Sequence, residues 1–260
     1  MIIDTNTHLS RWPFRRLVGD ETPDFVARLR KRNVTQAWAG SFDGILHKDI
    51  AGVNARLAAD CRTYGQDFLV PFGSINPMLP GWQEDVRRCR EGHKMPGIRL
   101  HPNYHGYTLA DPVFADLLRL ATEQRLIVQL VVCMEDVRTQ HPLMRVPPVD
   151  LSALAGVIKS EPAARLVLLN WPPGIDDEQQ LKPLASIASV YFDISMVEGI
   201  EGIARLMEQL SVERVLFGSN FPLFYFESAL LKMQESGLPD DQKQALFEGN
   251  ARRLLAHAMS

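Results

Sequence analysis

The sequence predicts an α/β protein, a single (β/α)8 TIM barrel, with residues 1–260 forming one domain. Three observations lead there. Apolar runs of strand length alternate eight times with stretches of helical spacing, which implies a parallel sheet. The 260-residue length suits barrels of roughly 200–250 residues that fold as one unit. The strand-like segments turn polar at their C-terminal ends, where barrels gather their chemistry. An open doubly wound sheet competes, but no strand-like segment runs into GxGxxG or a phosphate-binding GxxxxGKS/T loop.

The first strand is the opening octapeptide, with Asp4, Asn6 and His8 on one face of an extended chain. Thr22–Arg32 follows as a helix, its Phe25, Val26 and Leu29 forming one stripe. Strands two to four are Thr35–Ser41, Phe68–Ile75 and Gly97–Pro102, with helices at Asp49–Tyr64, Trp82–Glu91 and Pro112–Gln124. Strand five, Leu126–Val132, is almost wholly apolar, as burial on both faces requires. A long loop from Cys133 to about Pro148 exceeds the usual ~2–6 residues and reads as a lid. The helix Leu151–Ser160, strand six (Ala164–Trp171) and a weaker helix near Gln179–Ser189 come next. Strand seven (Val190–Ser195), a helix ending at Leu210, strand eight (Arg214–Asn220) and helices at Glu227–Ser236 and Asp240–Ala258 complete the plan.

Composition removes several function classes. A net charge of −3 gives no general attraction to nucleic acid. No apolar run reaches the ~18 residues that span a bilayer, and the N-terminus lacks the regions of a signal peptide. Three cysteines without a CxxC pair do not make a disulfide framework, so a reduced cytoplasm is expected.

The strand ends and adjoining loops supply the candidate site. His8, His101 and Asn220 are the catalytic candidates; Asn6, Arg11, Arg99, Tyr104, Glu135, Arg138, Asn170, Tyr225 and Glu227 are the substrate-binding ones. Arg99 and His101 share strand parity, and an inward guanidinium must meet an anion, either substrate or a structural partner such as Asp4 or Glu135. His8 is either a general base or a hydrogen-bonded interior group. Cys133 reads as a buried inert thiol before a nucleophile, and Asp193 and Ser195 as braces.

The opening Ile-Asp-Thr-Asn-Thr-His, Gly-Ile-Arg-Leu-His-Pro on strand four, Arg-Leu-Val-Leu-Leu-Asn on strand six, Val-Tyr-Phe-Asp-Ile-Ser on strand seven, Arg-Val-Leu-Phe-Gly-Ser-Asn-Phe-Pro on strand eight and the closing Gly-Asn-Ala-Arg-Arg-Leu-Leu appear in order. Over nearly its whole length the chain thereby resembles the amidohydrolase superfamily, in the branch of aminocarboxymuconate-semialdehyde decarboxylase and related hydrolases and lactonases. The resemblance implies a metal held by His-x-His on strand one, histidines on strands five and six and an aspartate on strand eight. Here those positions hold Asn6 with His8, Val131 with Gln129 two residues deeper, Asn170 and Asn220. Amides ligate such metals weakly and take up no proton at neutral pH. The expectation is therefore a site with no metal and no other cofactor.

Without a metal, on the order of 12 kcal/mol of hydroxide formation must be found elsewhere, which favours activated substrates. The expected function is an amidohydrolase-like hydrolase acting on a small carboxylate-bearing lactone or similar compound. In it Arg99 would bind the carboxylate, the asparagines polarise the carbonyl, and His8 or His101 move the proton. Its partner is a small anionic or polyhydroxylated metabolite, with no nucleic acid or membrane; a homodimer is compatible with the sequence. A non-catalytic metabolite-binding or subunit protein, and a metal enzyme rebuilt around His8, His101 and Glu135 or Glu227, are the alternatives.

Overall fold

The computed structural model describes residues 1–136, 138–171 and 177–259. Eight parallel strands run in chain order around one sheet: β1 (Ile2–Leu9), β2 (Val34–Ser41), β3 (Leu69–Ser74), β4 (Gly97–Leu100), β5 (Ile127–Val131), β6 (Arg165–Leu169), β7 (Val190–Asp193) and β8 (Val215–Leu216). The ring closes between β8 and β1. Thr5 N donates to Phe217 O at 2.9 Å, Asn220 N to Asn6 O at 2.9 Å and His8 N to Phe221 O at 3.0 Å. The predicted (β/α)8 barrel is thus the observed fold.

Main helices α1 (Thr22–Arg30), α3 (Ile50–Asp60), α4 (Trp82–Arg87), α6 (Pro112–Glu123), α7 (Leu154–Ser160), α8 (Asp177–Ala185), α9 (Gly202–Gln209) and α10 (Phe226–Glu235) follow the strands. Short helices α2 (Asp43–Leu46) and α5 (Pro102–His105), unforeseen in the sequence, sit in the loops after β2 and β4. The C-terminal helical stretch is a succession, α11 (Asp240–Gln244), a wider turn at Ala245–Gly249 and α12 (Asn250–Met259). Strand eight is shorter than predicted, because Arg214 closes a turn and donates from Nε to Val190 O at 2.7 Å.

Alternation divides the side chains between two apolar layers. Ala37 and Ala39, Val128 and Leu130, and Leu166 and Leu168 join the layer under the helices. Their neighbours Trp38, Ile127, Val131, Val167 and Leu169 belong to a second cluster, which Ala251, Leu254 and Ala258 of α12 share. Among the polar side chains on the strands, Arg99 on β4 and Gln129 on β5 are fully buried. Arg99 has room because β2 carries glycine opposite it; a Cβ on Gly40 would lie 2.6 Å from its Nη1.

Candidate active site

Above Arg99 the strand ends form a buried polar network around Asp193. Asn6 Nδ2 donates to Asp193 Oδ2 at 2.7 Å and to Asn170 Oδ1 at 2.6 Å, while Asn170 N donates to Asp193 Oδ1 at 2.9 Å. Ser195 Oγ adds a bond to Asn170 Oδ1 at 2.8 Å, and Asn170 Nδ2 donates to Cys133 O at 2.8 Å. These partners fix each amide's orientation, since an oxygen turned toward a carboxylate or carbonyl would be repelled. Asn170 and Asn220 also have positive φ, 56° and 57°, a backbone state asparagine tolerates better than most side chains. Gly218 leaves the space; a Cβ there would fall 2.5 Å from Asp193 Oδ2.

Asp4 lies beneath this network, accepting from Ser219 N at 3.0 Å, from Ser219 Oγ and from Asn6 N at 3.2 Å. Burial outweighs those bonds and raises its pKa to about 7; burial raises Asp193 as well. A carboxyl raised in the folded state contributes stability that is fully present below about pH 4 and is lost as pH rises through about 7. The buried histidines act in the opposite sense below about pH 6.5, so comparison with Asp4→Asn isolates the carboxyl. Measured by urea denaturation, the wild type's stability relative to Asp4→Asn should fall between pH 4 and 7. A difference independent of pH would contradict the raised pKa.

Arg99 corrects an expectation. Its guanidinium donates to Gln129 Oε1 at 2.8 Å (Nε), Thr7 O at 2.7 Å (Nη1) and Trp38 O at 3.3 Å (Nη2). Gln129 is held in turn by Thr5 O at 2.8 Å. The cation is therefore a fully buried cross-brace between β1, β2 and β5, committed before any substrate carboxylate arrives. Burial lowers its pKa to about 9, with the charges of Asp193 and Asp4 opposing, so it remains charged at neutral pH.

His8 and His101 are its opposite: 0% and 1% exposed, with no hydrogen-bond partner among the described residues on either ring nitrogen. Burial holds both well below the usual histidine range, and the charge of Arg99 adds to this. Each is a neutral imidazole with one N–H and one lone pair unspent. The His8 ring stacks on Phe42, centroids 4.8 Å apart and planes within 2°. His101 meets His105 edge-on at 5.9 Å, and a ring nitrogen of His105 lies 3.0 Å from Gly44 O. Asn220 Nδ2 donates to Met134 O at 3.1 Å, and Asn220 Oδ1 and Asn6 Oδ1 are without partners among the described residues. Asn6 and Asn220 thus have their amide donors spent and their acceptors unspent, whereas polarising a carbonyl needs donors.

Two loops close over these groups. Trp12 packs on Phe42 at 5.2 Å, Phe14 stacks on His141 at 5.9 Å, and Arg15 pairs with the buried Glu135. Tyr104, with its pKa raised by burial and then by Glu135, belongs to the same apolar cluster as Trp12 and Met134. Any ligand must displace part of this cover to reach His8.

Of the predicted residues, Asn6, His8, Arg99, His101, Asn170 and Asn220 converge, with Tyr104 and Glu135 at the rim. Four others do not join them. Arg11 pairs with Glu21, and Arg138 with Asp136 beside it in sequence. Tyr225 is 76% exposed, and Glu227 pairs with Arg32; both line a separate cleft of about 840 Å³ between α1 and α10. Cys133 is buried, its thiol pushed up to about 12 by burial and then by Asp193, which suits an inert packing role. Trp12, Phe42 and Gly40 were not singled out in the sequence; a glycine inside a strand was the signal that a large group passes close by.

The donor set does not match a divalent transition metal. Among the described residues no group of three or more His, Cys, Asp or Glu side chains is placed to hold one. The strand-one and strand-six amides are instead tied to Asp193 and to each other.

The amidohydrolase family model matches residues 3–256, and the chain belongs to that family. No curated protein matches the sequence. Among solved structures, 5-carboxyvanillate decarboxylase LigW from Sphingomonas paucimobilis superposes with a TM-score of 0.76 at 13% identity, over 98% of each chain. IDCase from Metarhizium anisopliae gives 0.75 at 14% identity, covering 99% of this chain and 97% of that one. Dihydroxybenzoic acid decarboxylase from Polaromonas sp. JS666, with bound manganese and 2-nitroresorcinol, gives 0.74 at 11% identity, covering 98% and 96%. These likenesses establish the shared fold. No helix among the described residues is long and apolar enough to cross a membrane.

Proposed function

We propose that the chain is a hydrolase that opens a small lactone or comparably activated ester using its own imidazoles. The observation carrying this reading is the pair of buried, neutral, unpartnered histidines at the barrel mouth. A neutral imidazole can take a proton at one nitrogen while offering one at the other. In the proposed sequence His8 removes a proton from water as the oxygen bonds to the carbonyl carbon. The His101 N–H bonds the carbonyl oxygen as charge develops there. The protonated imidazole then returns its proton to the departing ring oxygen as the C–O bond breaks, releasing a hydroxy acid. General acid–base help is worth only about 10²–10⁴-fold, which favours strained or activated esters over amides. Burial keeps both imidazoles neutral, and Arg99 takes the part of a positioning residue whose charge adds to that effect.

The names of the solved neighbours favour a second reading, loss of CO2 from an aromatic acid. A panel of γ-butyrolactone, 5-oxotetrahydrofuran-2-carboxylate and 2,6-dihydroxybenzoate separates the two. Lactone opening, followed as acid release, with the benzoate unchanged is the expected result. Decarboxylation of the benzoate without lactone opening would overturn the proposal.

A further inference from the structure

Ligand chemistry at this site is constrained by which polar atoms remain unspent. Asn6 Nδ2 is consumed by Asp193 and Asn170, and Asn220 Nδ2 by Met134 O. Their carbonyl oxygens, one on β1 and one in the segment after β8, are left buried and without partners among the described residues, the two backbones linked through the Asn220 N to Asn6 O bond at 2.9 Å. Neither amide can turn over, because an oxygen would then meet the Asp193 carboxylate or the Met134 carbonyl. Where the ring closes between β8 and β1 the site thus holds a fixed pair of unspent acceptors. Unpartnered N–H donors lie elsewhere, on the His8 and His101 rings and on Trp12 Nε1.

We infer that Asn6 and Asn220 are specificity-determining residues that select a ligand bearing two neutral hydrogen-bond donors, hydroxyl or N–H, on the side facing β1 and β8. This deepens the hydrolase reading and rests on it only for the location of the ligand. A buried acceptor left dry costs free energy, so an occupant must reproduce the bonds that water would make there. Hydroxyls do so. A carboxylate, all acceptor at neutral pH, brings oxygen against oxygen and is rejected.

Three probes sharing one ring test this: 2,3-dihydroxy-γ-butyrolactone, γ-butyrolactone and 5-oxotetrahydrofuran-2-carboxylate. Dissociation constants are read from thermal shift of the wild-type protein, so turnover is not required. The dihydroxy probe should bind at least about tenfold more tightly than either of the others. Asn220→Gly, which tolerates the positive φ and removes the acceptor, should abolish that preference; Asn220→Asp, which keeps an acceptor, should retain part of it. Equal binding of the three, tighter binding of the carboxylate, or binding of none overturns the inference, and the wild-type ranking decides even if a variant fails to fold. Loss of the hydrolase reading has a different signature, a bound dihydroxy probe that is never opened.

Discussion

Replacing Arg99 with methionine should lower the melting temperature by roughly 6–20 °C, from a loss of about 3–5 kcal/mol. The side chain's volume is nearly kept, so the effect reports the charge and its bonds. Without the guanidinium, the carbonyls of Thr7 and Trp38 and the Gln129 Oε1 lose its N–H groups inside the barrel. Asp4 and Asp193 lose a buried cation that interacts with both carboxyls. Gly40→Ala tests the same packing from the other side, since its Cβ would stand 2.6 Å from Nη1 and 2.8 Å from Cδ of Arg99. Arg99→Met should also move the acid limb of any pH–rate profile upward, because its charge is one of the forces lowering His8 and His101. A variant with wild-type melting and an unshifted limb would show that the guanidinium neither braces the barrel nor tunes the imidazoles.

The second large effect is catalytic. His8→Ala and His101→Ala should each reduce the rate of lactone opening by about 10²–10⁴-fold, and the double variant should lose little more than the worse single one. That pattern follows when the two rings serve one proton path. Both variants should melt no lower than the wild type by more than a cavity of that size explains, since neither ring has a hydrogen bond to lose. Full turnover by both single variants would remove the histidines from the mechanism.

How much of this was legible in the sequence depended on where each partner lay. Strands were readable because their apolar runs and polar ends are local properties, and β5, from Ile127 to Val131, is buried at every position as its composition implied. Arg99 was recognised as inward and in need of a partner, but the bonds it makes include main-chain carbonyls on two other strands. Backbone oxygens carry no residue signature, so a substrate anion looked equally good. Asparagine orientation was hidden for a related reason. Asn6 is fixed by Asn170 and Asp193, residues 164 and 187 positions away. By contrast, Arg11 and Arg138 had acidic partners at Glu21 and Asp136, close in the chain. Those neighbours were the available sign that both arginines would be satisfied away from the site.

The reading stands or falls on whether imidazoles alone drive the chemistry where the fold's relatives include a manganese-bound decarboxylase. Elemental analysis of protein purified without chelator, paired with lactone-opening rates before and after dialysis against EDTA, addresses this directly. The account predicts zinc and manganese well below one per chain and a rate unchanged by dialysis. One tightly held ion per chain, with turnover lost on its removal and restored on its return, would contradict it.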